Sequence, residues 1–237
     1  MNTNPVGGVS ILTFDVFGTI LDMSGSLVPP TIRFLSEKGS RIDGPTFWDQ
    51  WRTRQRIEQY QDTLLMLGHS GYLETCRRAL VYCLRNNDVE FTRDEVDGLI
   101  AVWRELTPFD DAVQGLARLS ERFRLVALPN GEPWLLEHLV KNRIGVPFDA
   151  IISVEEAGAF KPHPSVYRAA ARVLESEPQG IMMVAAHSFD IMGARACGFR
   201  GAFVNRYNLP FEDTPYQPDI TVGDFQELAP RLLGDEQ

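Results

Sequence analysis

The chain has 237 residues, 44% of them apolar and 23% charged, with a formal net charge of −9. That length suits one large domain or a core with an insertion, and the composition is ordinary for a soluble globular protein. The negative balance argues against binding nucleic acid. No stretch approaches the roughly 20 apolar residues of a membrane span, so neither nucleic acid nor membrane is an expected partner.

The first residues, Met1 to Gly8, carry neither the basic nor the apolar segment of a secretory leader, which makes a cytoplasmic location the expectation. The cysteines are Cys76, Cys83 and Cys197. An odd number without a C-x-x-C pair argues against a disulfide framework or a structural zinc site. Cys76 and Cys83 fall on one expected helix and are assigned to a core.

In chain order, the first element is Ile11-Leu12-Thr13-Phe14, running into Asp15 and followed by Gly18 and Thr19. An apolar run closed by a turn signal predicts a buried strand of a parallel sheet. Ligands in open α/β sheets bind beyond the carboxyl ends of such strands. Asp15 is thus expected to point into a site, where it can bind a metal, take a proton or attack an electrophile. The plainer alternative is an acid that caps a turn.

Residues from about 25 to 105 read as helical. Trp48 to Tyr60 contains no breaker, and Tyr72 to Leu84 places Leu73, Cys76, Leu80 and Cys83 or Leu84 along one stripe. Thr92-Arg93-Asp94-Glu95 is a capping-box-like start for a helix to about Leu106. The character changes at Thr107-Pro108-Phe109-Asp110. Strands are then predicted at 123–128, 150–153, 181–186, 201–204 and 220–222, each followed by an amphipathic segment. Such alternation implies parallel strands with crossover helices. The predicted fold is α/β: a Rossmann-like, doubly wound parallel-sheet core from residues 1–22 and 107–237, with an inserted helical cap at 23–106 that can close over the sheet's carboxyl edge.

The later strand ends carry polar residues. In Leu128-Pro129-Asn130-Gly131, Asn130 can donate two hydrogen bonds, although Pro-Asn-Gly is also ordinary turn chemistry. In Lys161-Pro162-His163-Pro164-Ser165-Val166-Tyr167 the prolines fix a turn before a helix beginning near Ser165. Lys161 there can pair with Asp15, keep it ionised and attract an anion, or be a solvated surface lysine. Tyr167 is either a site hydroxyl or a core aromatic. In Ala185-Ala186-His187-Ser188-Phe189-Asp190 a single acid precedes a Gly-Ala-rich helix from Met192 to Cys197. His187 can position or deprotonate water near neutral pH, or be a satisfied structural histidine.

Asp15-Val16-Phe17-Gly18-Thr19 resembles the first motif of the haloacid dehalogenase superfamily. The superfamily's phosphatases carry a second Asp, a general acid that helps hold the site around Mg²⁺, where this chain has Phe17. A phenyl ring does neither job, and Asp15 with Asp190 is a thin oxygen shell for magnesium. The dehalogenase branch carries Tyr or Phe there. Asn130-Gly131 matches its Ser-Asn-Gly except for Pro129, Lys161-Pro162 with Tyr167 matches the third motif, and Ala185 to Asp190 stands at the fourth. Trp51-Arg52-x-x-Gln55 resembles the cap pattern Trp-Arg-x-x-Gln, which singles out Arg52 over Arg54 and Arg56.

The resemblance to L-2-haloacid dehalogenases covers nearly the whole chain. It implies hydrolysis of short 2-haloalkanoic acids to 2-hydroxy acids, with a 2-halocarboxylate as the small-molecule partner and neither metal nor organic cofactor. Asp15 would attack Cα to form an aspartyl ester. Arg52 and Asn130, helped by Phe189, would accommodate the halide. Lys161 and the N–H groups near Val16 and Phe17 would hold the carboxylate, with Thr19 supporting Asp15 and Tyr167 on the substrate side. Asp190 and His187 would activate or orient the hydrolytic water. A carbon–halogen bond leaves as an anion without a proton, so Phe17 fits this chemistry, and an apolar wall strengthens ion–dipole interactions around the nucleophile. A homodimer is common in this branch. The alternatives are a Mg-dependent small-molecule phosphatase of the superfamily, or a catalytically silent relative that binds an anionic metabolite or a protein partner.

Overall fold

A computed structural model describes residues 7–65 and 70–234. Residues 1–6, which carry most of the leader expectation, and residues 66–69 of the helical stretch lie outside the described residues.

The chain enters through β1 (Ile11–Phe14), fully buried, and after a tight turn forms the short β2 (Leu21–Asp22). Four helices follow: α1 (Met23–Glu37), α2 (Gly44–Leu64), α3 (Tyr72–Asn86) and α4 (Arg93–Ala101). The capping box forms as the sequence predicts, with Thr92 and Glu95 satisfying each other's backbone N–H groups. The last stretch tightens into a 3₁₀ turn over Val102–Glu105 instead of remaining α-helical to Leu106. The short β3 (Thr107–Pro108) pairs antiparallel with β2, so both ends of the helical insertion leave the core at one place. Inside the insertion, buried Trp51 donates its indole N–H to Cys76 O (2.8 Å) and packs against Trp103 with ring centroids 5.0 Å apart. Cys76 and Cys83 are buried free thiols.

The core continues with α5 (Asp110–Leu119), β4 (Arg124–Ala127), α6 (Pro133–Leu139), β5 (Ala150–Ile151), α7 (Pro164–Val173), β6 (Ile181–Ala185), α8 (Ser188–Ala196), β7 (Arg200–Val204), β8 (Ile220–Val222) and α9 (Phe225–Leu233). The parallel sheet is ordered β5-β4-β1-β6-β7-β8. From β1 the chain winds outward through β4 and β5, then returns to lay β6 on the other side of β1. The winding therefore reverses between β1 and β6, and the carboxyl side of such a reversal is where open α/β sheets leave a crevice.

Three strands end one or two residues earlier than the apolar runs predict, each for a visible reason. Ala186 turns its N–H to the Thr19 hydroxyl (2.9 Å) rather than to a neighbouring strand. Leu128 still donates to Phe14 O (2.8 Å), but its own carbonyl accepts from Lys161. Beyond β5, Ile152 keeps one bond to Ala127 O (2.9 Å) before Ser153 caps a 3₁₀ turn.

Candidate active site

Asp15 follows directly on β1, and its N–H, bonded to Val184 O (3.0 Å), keeps the backbone tied to β6 as the side chain reaches the crevice. Carboxylate Oδ2 accepts from the Thr19 hydroxyl (2.9 Å) and lies 3.1 Å from His187 Nδ1, while Oδ1 lies 3.1 Å from Lys161 Nζ. The turn that returns Thr19 to Asp15 requires Gly18. Its φ is +84°, and a Cβ there would stand 3.0 Å from both the His187 ring and the Tyr207 hydroxyl. Arg206, paired to Asp111, holds the same turn by donating Nε–H to Thr19 O (2.9 Å).

Lys161 is buried and bonded at every donor. Nζ reaches Asp15 Oδ1, Asp190 Oδ2 (2.5 Å) and Leu128 O (2.7 Å), which accounts for all three ammonium N–H groups. Its backbone N–H goes to Asn130 Oδ1 (2.9 Å), and Asn130 Nδ2 faces Gln59 Oε1 of α2 at 3.5 Å. All three Nζ donors are thus engaged within the protein, none of them directed at an open acceptor position. Tyr167 is fully buried, and its hydroxyl donates to Asp190 Oδ1 (2.7 Å), so its ring lies in the core while its hydroxyl positions Asp190.

These contacts set the charges. Burial pushes the Asp15 carboxyl up, but the charge of Lys161 and the hydrogen bond from His187 outweigh it and hold Asp15 well below the ordinary carboxylate range. Asp190 goes the other way: burial, opposed by Lys161, leaves it at about 6. Burial works against the Lys161 charge, yet Asp15 and Asp190 outweigh it and raise its pKa. Burial lowers the His187 pKa more than the bond to Asp15 raises it, and Arg56 and Arg52 push the same way. A neutral ring beside an ionised carboxylate carries its proton on Nδ1 and donates it to Oδ2.

His187 connects this cluster to a cavity of about 600 Å³, which it lines with Gly18, Trp48, Arg52, Arg56, Phe189 and Tyr207. Arg52 hydrogen-bonds Gln55 and lies over the Trp48 ring. On the side of Phe17, the ring stacks on Tyr72 of α3 with centroids 4.4 Å apart and planes 9° from parallel. The close fit beside it uses Gly131, where a Cβ would come within 2.9 Å of the Phe17 ring. Among the described residues, the Tyr72 hydroxyl and the Trp103 indole N–H are buried without a hydrogen-bond partner, and no group of three His, Cys, Asp or Glu side chains is placed to hold a metal.

The donor set also does not fit the magnesium of the superfamily's phosphatases. The Lys161 ammonium stands between the two carboxylates a cation would bridge, Asp190 has both oxygens engaged, and the third carboxylate position is a phenyl ring.

Residues 9–198 match the model of the haloacid dehalogenase-like hydrolases. The chain belongs to that family. It is 33% identical to an (S)-2-haloacid dehalogenase of Xanthobacter autotrophicus over 84% of this chain and 76% of that one. It is 28% identical to haloacetate dehalogenase H-2 of Moraxella sp. (strain B), over 90% and 93%. The fold superposes on the Xanthobacter autotrophicus L-2-haloacid dehalogenase with a TM-score of 0.84 at 28% identity, covering 97% of this chain and all of the other. The same enzyme with chloropropionic acid covalently bound gives a TM-score of 0.81 at 27% identity, over 97% and 100%.

Within this haloacid dehalogenase-like site, Asp15, Thr19, Lys161, Asp190 and His187 meet in one hydrogen-bonded cluster, with Asn130 on the backbone of Lys161. Arg52 and Phe189 face the cavity beside it. Val16 and Phe17 are buried at the turn, and their N–H groups find no backbone acceptor among the described residues. Three residues escaped the sequence reading. Arg56 faces the cavity although nothing in its pattern sets it apart from Arg54. Tyr72 enters the sequence pattern only as the first residue of a helical segment, outside its apolar stripe. Glu132 reaches from the core to cap α3, its Oε1 accepting from Leu73 N–H (2.9 Å), a contact spanning too much chain for local spacing to signal.

Proposed function

We propose that this hydrolase removes halide from short 2-haloalkanoic acids, giving 2-hydroxy acids through an ester on Asp15. The observation that carries the reading is a buried carboxylate kept ionised by Lys161 and His187 at the switch of the sheet, with Phe17 in place of a proton donor. The similarity to an enzyme that holds chloropropionic acid covalently supports it.

Oδ1 has one donor and Oδ2 has two, so Oδ1 is the freer oxygen and attacks Cα from the side opposite the halogen. The carbon inverts, and the halide departs toward Arg52, with Asn130 and Phe189 as its other expected neighbours. Oδ2 becomes the ester carbonyl oxygen, already facing the Thr19 hydroxyl and His187 Nδ1–H where negative charge develops when water adds. The Val16 and Phe17 N–H groups offer two contacts for the substrate carboxylate. His187 borders the cavity and orients the water, whereas buried Asp190 acts through Lys161. The helical segment 23–106 serves as the cap over the core of 1–22 and 107–237, and the enzyme is assigned to the cytoplasm. The residues suit a reaction without metal or organic cofactor.

The test is halide release from chloro-, bromo- and fluoroacetate and from both enantiomers of 2-chloropropionate, with and without EDTA, beside Asp15→Asn. Wild type should release halide regardless of EDTA, Asp15→Asn should not, and solvent ¹⁸O should accumulate in the Asp15 carboxylate over many turnovers. No halide from wild type, an undiminished Asp15→Asn, or chelator-sensitive hydrolysis of p-nitrophenyl phosphate would overturn the reading.

A further inference from the structure

Two guanidinium groups enter the cavity from α2, one turn apart on the same helix face: Arg52 and Arg56. Arg52 is held by Gln55 and Trp48. Arg56 is half-buried with its guanidinium 5.1 Å from the centre of the Phe189 ring. Among the described residues no carboxylate pairs with it, although its neighbour Arg54 pairs with Glu58, and Arg78 of α3 pairs with Glu58 and Asp62. Burial lowers the Arg56 pKa, the Arg52 charge adds to that, and Asp15 is near enough to work against both. A partly desolvated cation without an anion is unfavourable unless a ligand brings one.

A 2-haloacid brings one, and the other charged places for its carboxylate are taken. Lys161 has given all three donors to Asp15, Asp190 and Leu128. Residue 129 is a proline and has no N–H. The Val16 and Phe17 N–H groups are neutral. Lys161 answers Asp15 and Asp190 inside the cluster, which leaves the two guanidinium groups of Arg52 and Arg56 in the cavity without a paired carboxylate among the described residues. Glu212 on the cavity wall accepts a hydrogen bond from Ser188 (2.7 Å) and pairs with neither arginine.

We propose that Arg56 binds the substrate carboxylate, leaving Arg52, one turn earlier, to the departing halide. This rests on the reading of the chain as a 2-haloacid dehalogenase. A planar guanidinium meets a carboxylate through two parallel N–H donors, which a lysine at the same place reproduces only in charge. The arrangement places substrate recognition on a helix of the insertion and the nucleophile on the core.

The experiment compares wild type with Arg56→Gln and Arg56→Lys on 2-bromopropionate and on its primary amide, which keeps the carbon and halogen but removes the charge. Arg56→Gln should raise KM for the acid on the order of 10- to 100-fold with a smaller change in kcat. The preference for acid over amide in kcat/KM should fall by a similar factor, and Arg56→Lys should recover part of it. Thermal shift with unhalogenated propionate gives a readout without turnover: propionate should stabilise wild type and not Arg56→Gln, at matching ligand-free melting temperatures. If wild type releases no halide but the propionate difference persists, the dehalogenase reading fails and the Arg56 site stands. An acid-to-amide preference that Arg56→Gln leaves within about twofold, equal stabilisation by propionate, or a loss in kcat that tracks bromide against chloride would overturn the proposal.

Discussion

Replacing Lys161 by Met removes the cation that makes two buried carboxylates tolerable. Lys161 is 1% exposed, Asp190 0% and Asp15 6%. The variant leaves both acids buried and the Leu128 carbonyl without its side-chain donor. Breaking a buried pair by deleting one partner costs about 3–5 kcal/mol. For a chain of this length that corresponds to a fall in Tm of roughly 6–20 °C. The sign of its pH dependence is distinctive. In wild type the depressed pKa of Asp15 contributes stability above the ordinary carboxylate value, and that contribution is lost only as pH falls through the depressed value in strong acid. In the variant, burial and the Asp190 charge remain and drive Asp15 upward. A raised pKa contributes stability below the unfolded value and loses it as pH rises through the raised value. The deficit of Lys161→Met should therefore be greatest near neutrality and shrink as pH is lowered to about 5. Urea unfolding of both proteins across that range measures it, and the same substitution in an Asp15→Asn background should show a smaller deficit. A deficit below about 1 kcal/mol, or one that does not change with pH, would refute the view of Lys161 as the charge that holds the site together.

Halide release should fall along an acid limb near pH 6 as the Asp190 carboxyl takes up a proton. Tyr167→Phe, which removes a bond that holds the pKa of Asp190 down, should shift that limb upward and lower stability by about 1–3 kcal/mol. A pH–rate profile with parallel denaturation checks both. Gly18→Ala forces a side chain into a left-handed turn and against His187. It should lower stability by at least about 1 kcal/mol and depress turnover far more than distant Gly→Ala exchanges such as Gly98→Ala, where the added methyl meets nothing.

Much of this was legible because it is local or periodic. The strands announce themselves as apolar runs, the start of α4 by its Thr-x-x-Glu box, and the place of Asp15 by a strand followed at once by Gly18 and Thr19. The ends of the strands were less legible, because whether Ala186 or Leu128 continues a ladder depends on a Thr19 hydroxyl or a Lys161 ammonium far away in sequence. The same limit applies to site chemistry. Residue types and spacing pointed to Lys161 beside Asp15, but donor saturation is a count of acceptors drawn from three separate strand ends. Tyr167 could be either core or polar, and it is both: its ring packs on Phe199 while its hydroxyl holds Asp190. Arg56 carries no sequence signal of its own, because a helix face becomes a cavity wall only once the insertion lies on the core.

The contact between Phe17 and Tyr72 bears on how such a protein can change its chemistry. One ring belongs to the core motif and the other to the insertion, stacked nearly parallel. Exchanging Phe17 for aspartate would install a proton donor for an alkoxide, yet also deprive Tyr72 of its platform and place a carboxylate where Gly131 makes room for a ring. The route from carbon–halogen to phosphoryl chemistry thus passes through compensating changes on both sides of the contact. A single exchange at position 17 therefore disturbs the seam between core and insertion as well as the chemistry of the site.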